Sequence, residues 1–118
     1  MGDLKAIGEE LAGWGKVALL ETRGRRSGRP QLAAVGFVED DDGSLLVAAG
    51  SYATDWARNL QANNRCRATI GDESGDYRAH EVEGSDKAHA LTELILKYGT
   101  PAERLGHGPV FRLRPATD

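Results

Sequence analysis

Only one cysteine, Cys66, occurs in the chain, so no disulfide can close within it. A reducing, cytoplasmic setting is the expectation that follows. Histidine is scarce too: His80, His89 and His107 stand nine and eighteen residues apart with no Cys partner but Cys66, so no metal site is expected. Apolar runs stay strand-sized, as at 17–20 and 45–49, where a membrane span needs roughly 20 residues. No transmembrane segment is expected. The opening Met1-Gly2-Asp3-Leu4-Lys5 lacks the basic stretch and apolar core of a secretory leader, so none is expected. Charge of one sign does not dominate, since 15 Lys+Arg against 18 Asp+Glu leave a net −3. Such a chain has no global field to draw it onto nucleic acid or an anionic membrane. Gly-x-Ser-x-Gly, Walker and dinucleotide glycine fingerprints are absent, which argues against a serine hydrolase, an NTPase and a Rossmann fold.

What is present fits one domain over 1–118. Leu4, Ile7 and Leu11 recur at helical spacing behind Asp3, predicting a first helix that ends around Trp14. Short aliphatic segments at 16–22, 31–39, 44–49, 65–70, 77–82 and 110–114 read as six strands. Asp40-Asp41-Asp42-Gly43 reads as a solvated hairpin turn rather than a metal loop, and the run from Asp72 to Gly75 as a second turn. Asp55 is expected to cap a short helix that carries Trp56, Asn59, Leu60 and Asn63 on one face. A further helix over 85–98 carries Ala88, Leu91, Leu94, Ile95 and Tyr98 as its apolar stripe and stops at Gly99. Strands joined mainly as hairpins predict a mainly β fold with helices, a six-stranded antiparallel split β-barrel.

The segment Arg23-Gly24-Arg25-Arg26-Ser27-Gly28-Arg29-Pro30 packs four arginines into eight residues, and no carboxylate lies between Glu21 and Glu39 to neutralise them. Guanidinium forks bind phosphate and carboxylate oxygens bidentately, so the segment reads as a local anion site. Gly24 and Gly28 would aim backbone N–H groups into a nest, and Ser27 would add a hydroxyl. A merely solvated basic hairpin and an arginine-rich minor-groove arm are the alternatives; the acidic chain weighs against nucleic acid. A second segment, Ala48-Ala49-Gly50 followed by Trp56 and Asn59, offers small residues for close approach to a flat ring and two side chains to flank it. Trp56 as a barrel plug and Asn59 as a cap are the bland reading of those two.

These residues together with Leu19 to Thr22, Val47, Leu60, Ala62-Asn63 and Pro109-Val110-Phe111-Arg112-Leu113 resemble, in order, the deazaflavin-dependent nitroreductase family. The resemblance implies an FMN-binding type of split barrel that holds the 8-hydroxy-5-deazaflavin coenzyme F420, with FMN the alternative cofactor. It implies hydride transfer from the reduced coenzyme to a small electron acceptor, whether quinone, nitroaromatic or activated alkene. By the same resemblance Arg25, Arg26 and Ser27 hold the coenzyme's phosphate or oligoglutamate tail. Gly28 and Pro30 shape the loop, Ala48, Ala49 and Gly50 line the ring by backbone, and Trp56 and Asn59 flank it. Tyr98 is the one candidate for a proton or hydrogen bond to the acceptor, set against a core tyrosine ending its helix. The chain departs from the family pattern at Gln31, where Arg is common, and in the short 51–55 loop, which lacks a basic residue before Trp56. A barrel that binds a flavin, deazaflavin or lipid-like molecule without turnover is the alternative function, and a twofold dimer is expected of so small a barrel.

Overall fold

The computed structural model describes residues 17–99 and 107–116. The expected first helix, Trp14 included, lies outside them. Within them run seven strands and two helices: β1 (Ala18–Arg23), β2 (Pro30–Val35), β3 (Phe37–Glu39), β4 (Leu45–Ala48), α1 (Asp55–Ala62), β5 (Arg65–Ile70), β6 (Glu73–Val82), α2 (Gly84–Tyr98) and β7 (Val110–Pro115). Every pairing is antiparallel, and the sheet order is β2-β1-β5-β6-β7-β4-β3.

The two edge strands of that order, β2 and β3, are joined by a single residue, Gly36. One covalent step between opposite edges is possible only if the sheet curls back on itself, and this makes the split barrel. The sequence pattern predicts one strand over 31–39; the structure divides it at Gly36, which turns six strands into seven. A Cβ on Gly36 would stand 3.2 Å from Cε2 of Tyr98. The ring fills the kink, and its hydroxyl accepts from the Phe37 N–H at 3.0 Å and donates to the Phe37 carbonyl at 3.2 Å. Lys97 Nζ donates to the same carbonyl at 2.7 Å and lies 3.5 Å from the Phe37 ring centroid.

Alternation sorts β1 and β5 into an inner row of Ala18, Leu20, Thr22, Cys66 and Ala68 and an outer row of polar and half-buried residues. The inner row joins Val35, Phe37, Leu45, Val47, Phe111 and Leu113 in the barrel core. Strand β4 is buried on both faces, because Leu46 and Ala48 on its outer side pack beneath Ala90 and Leu94 of α2. That is why its sequence reads as an unbroken apolar run. The α2 stripe runs through Ala90, Leu91, Leu94 and Tyr98; Ala88, predicted to belong to it, faces solvent. The β5–β6 turn is tighter than predicted. It consists of Gly71, at φ +63°, and Asp72, while Ser74 and Gly75 already pair with Thr69 and Ala68. No helix among the described residues is long and apolar enough to cross a membrane.

Candidate functional site

The arginine-rich segment forms the β1–β2 connection and folds tightly. Gly24 N–H donates to the Arg29 carbonyl and Gly28 N–H to the Gly24 carbonyl, both at 2.8 Å. Gly28 takes φ +71°, the left-handed conformation that glycine tolerates. Arg29 N–H donates to Ser27 Oγ at 3.1 Å, and Arg25 N–H to Asn59 Oδ1 at 3.2 Å. The nest of outward amides expected from the sequence is therefore not formed by these four groups, which bond within the protein.

Asn59 of α1 is the hub. It is 1% exposed, and its carboxamide is filled from both ends. Oδ1 accepts from the Arg25 backbone and, at 2.8 Å, from Arg25 Nη1; Nδ2 donates to Thr22 Oγ1 at 3.1 Å and to Gln31 Oε1 at 2.8 Å. The sequence reading has Asn59 flank a ring; the structure turns it inward, where it ties the loop, β1 and β2 to α1. Thr22 and Gln31 complete that cluster, and neither is signalled by spacing.

Arg25 is held by the same helix. Its Nη2 lies 3.2 Å from Asp55 Oδ1 and its Nη1 3.4 Å from the Asp55 carbonyl. The guanidinium is mostly buried at 20% exposure, whereas the Asp55 carboxylate is 79% exposed. Asp55 was expected to cap α1, but Thr54 is the N-cap and Asp55 the first helical residue, so its carboxylate is free to reach Arg25. The side chains of Arg26 and Arg29 are exposed and bond to none of the described residues. Two full positive charges thus stand at the loop surface without a counterion among the described residues.

One turn earlier on α1, Trp56 is half-buried against the barrel core, its ring 6.0 Å from that of Phe111 and tilted by 55°. Phe111 pairs with Val47, so the indole reaches the end of β4. Ala48 and Ala49 there are buried and Gly50 is exposed. Ala49 N–H donates to the Pro109 carbonyl at 3.0 Å, and a Cβ on Gly108 would overlap the Ala49 carbonyl oxygen. Backbone is pressed on backbone at this point, which fixes the strand end beside Trp56. Helix α1 therefore joins two arms: Trp56 toward the small residues ending β4, Asn59 toward the arginine loop.

Tyr98 is not part of this assembly. Its hydroxyl is engaged at Phe37, and Gly36 lies six residues along β2 from Pro30, roughly 20 Å at a strand's rise. Its ring packs against the cluster of Leu46, Ala48, Ala90 and Leu94. Cys66 is also inert: burial, then the nearby Asp76 carboxylate, push its thiol up to about 12, so it stays protonated. No group of three or more His, Cys, Asp or Glu among the described residues is placed to hold a metal.

The F420H2-dependent quinone reductase family model matches residues 3–104. Among solved structures the chain is similar to an F420-H2 dependent reductase termed FDR-A, with 25% identity, a TM-score of 0.71, and 84% of this chain and 94% of that one covered. It is similar in fold to HutZ, the heme storage protein of Vibrio cholerae, at 23% identity and a TM-score of 0.75, covering 98% and 92%. A protein described as a domain-swapped dimer matches at 23% identity and a TM-score of 0.72, covering 93% and 96%.

Proposed function

The chain belongs to the F420H2-dependent quinone reductase family, and on that premise we propose that it binds coenzyme F420 between the 23–30 loop and α1 and reduces a small electron acceptor. The coenzyme, when bound, supplies a hydride; a quinone, nitroaromatic or activated alkene takes it up together with a proton from water. What supports the reading is the joining of the arginine loop to the Trp56 helix through Asn59, with Arg26 and Arg29 left outside.

The residues present fit such a cofactor. Arg26, Arg29 and the Ser27 hydroxyl meet its anionic end, where charge-assisted bonds are short and strong. Ala48, Ala49 and Gly50 keep side chains out of the way of a planar ring, and Trp56 gives it an aromatic neighbour with fixed orientation. Arg25 contributes one guanidinium edge and is positioned by Asn59. Hydride transfer asks the protein for orientation and exclusion of water rather than an acid–base pair, so the absence of Tyr98 from the cradle removes nothing the reaction needs.

Titration with oxidised coenzyme, read by Trp fluorescence, is expected to saturate at low salt. Reduced coenzyme should then be consumed when a quinone is added. Failure to bind ends the proposal; binding without turnover leaves the non-catalytic carrier. The expected homodimer is proposed to form on β2, which is an edge strand with Leu32 41% exposed, and light scattering at working concentration tests it.

A further inference from the structure

We propose that Gln31 is a binding residue of the arginine loop and that it selects for an oxyanion by hydrogen-bond polarity. This rests on the loop–α1 site proposed above, and it names the contact that one phosphoryl or carboxylate group makes there. The polarity is passed along a chain of bonded groups. Arg25 can only donate, so the Asn59 atom that faces its N–H at 3.2 Å and its Nη1 at 2.8 Å must be the carbonyl oxygen. Asn59 Nδ2 then faces Thr22 Oγ1 at 3.1 Å and the Gln31 side chain at 2.8 Å. It too can only donate, so it holds Oε1 of Gln31 inward and leaves Nε2 facing outward. Asn59 is 1% exposed, and turning over the Gln31 amide would strand a buried donor against another donor.

The outward amide does not stand alone. A Cβ on Gly24 would lie 3.1 Å from Gln31 Nε2 and 2.7 Å from Ser27 Oγ, so these two groups meet over the bare Cα of a buried glycine. Ser27 Oγ accepts from the Arg29 N–H, and its own proton, like the N–H bonds of Gln31 Nε2, has no acceptor among the described residues. Donors therefore converge at exposed positions, on the loop that also carries Arg26 and Arg29. Such a group favours a ligand atom that only accepts, an oxyanion, over a cation. Glutamine suits this position in a way that arginine does not. It accepts from Asn59 at one end and donates to the ligand at the other, whereas a guanidinium has no acceptor to offer. Gly24 belongs to the same arrangement, since a side chain there would press on both donors.

Heteronuclear NMR of the whole protein, titrated with inorganic phosphate at low salt, tests this. The Gln31 side-chain amide pair, assigned by through-bond transfer from its own backbone, is expected to shift along a saturable curve. Titration with coenzyme F420, read by Trp fluorescence, gives the affinities. Gln31→Met and Gly24→Ala are each expected to bind about tenfold more weakly. Gln31→Glu keeps an acceptor for Asn59 but presents an oxygen to the ligand; it should melt no lower than the wild type and bind about a hundredfold more weakly. Added salt should recover the long-range part of the Gln31→Glu loss and leave the ratio of Gln31→Met to wild type unchanged. Where a variant fails to fold, the wild-type amide shift decides alone. Phosphate that moves the Arg26 and Ser27 backbone amides but not the Gln31 pair overturns the proposal, and so does wild-type affinity in Gln31→Met. A saturable Gln31 shift with phosphate and no binding of F420 supports the oxyanion contact and ends the coenzyme reading instead. No response to either ligand overturns both.

Discussion

Arg112 and Arg25 each fold against an aspartate, and they are used in opposite ways. Arg112 on β7 donates to Asp40 Oδ2 at 2.8 Å and to Ser44 Oγ at 2.7 Å, with Asp42 at 3.9 Å. It is 13% exposed and brings one positive charge to an acidic turn that Gly43, at φ +84°, allows to close. Arg25 also meets an aspartate, but its partner carboxylate is 79% exposed and its own loop keeps Arg26 and Arg29 without a partner among the described residues. The first set draws an arginine from a distant strand onto a run of like charge. The second ties down one charge of the run and leaves the others outside. A charged run becomes a turn or a site according to what the fold brings to it.

The largest way to break this contrast is at Asn59. Asn59→Ala strips partners from Arg25 N–H, Thr22 and Gln31 at a position 1% exposed, and denaturant unfolding should show a loss of about 3 kcal/mol. Coenzyme binding should fall with it, because the loop loses its anchor. A loss below about 1 kcal/mol would mean that the carboxamide is not the hub. Next comes Arg26→Ala, which touches no partner among the described residues. Its melting temperature should stay at the wild-type value while coenzyme affinity, read by Trp fluorescence, drops by about 1.5–3 kcal/mol. Unchanged affinity would reduce the loop to a solvated hairpin.

How much of this was legible beforehand follows from what determines each part. The barrel was readable because Cys66 and Ala68 alternate with Arg65, Arg67 and Thr69, which fixes a face from local sequence, and because the other short aliphatic segments are bounded by turn residues. The break at Gly36 was not, because it depends on Tyr98 arriving from 62 residues away to fill the kink. Ala88 was misplaced because α2 has apolar residues on more than one side, so its phase is set by β4 and not by its own pattern. At the candidate site the arginine loop and the Trp56/Asn59 face were visible as composition and spacing. Their bonding was not: the inward turn of Asn59, and the use of Asp55 as an ion partner instead of a cap, arise from tertiary contacts.

The acidic turn offers the third test, through pH. The hydrogen bond from Arg112, with further help from the Asp41 backbone, holds Asp40 below the ordinary aspartate range; bonds from Ser44 do the same for Asp42. A carboxylate whose native value is depressed binds its proton less readily when folded, so its stabilisation is present above the unfolded value near 3.9 and is lost as pH falls through the native one. Arg112→Met should therefore lower the melting temperature at pH 7, by less than Asn59→Ala does, and the gap to the wild type should shrink below about pH 4. Coenzyme affinity should be unaffected. A gap that persists at pH 2 would assign the effect to packing of the Arg112 stem.

The smallest effect sharpens the contrast most, because it should run in the opposite direction. The Asp55 carboxylate lies 3.2 Å from Arg25 Nη2, on a guanidinium that an arriving anion would also engage. It is an internal competitor, standing immediately before Trp56. Since it is 79% exposed, water screens most of its attraction, and its removal should matter only modestly. Asp55→Asn keeps the side-chain shape and the first helical position while removing the charge. The expected result is coenzyme affinity about two- to fivefold higher at low salt, converging with the wild type as ionic strength rises. The corresponding change at the acidic turn, Asp40→Asn, should leave affinity alone and lower stability, because there the carboxylate is what Arg112 is placed to meet. Weaker binding in Asp55→Asn would instead show that the ion pair holds Arg25 in its binding pose, making Asp55 a support and not a rival.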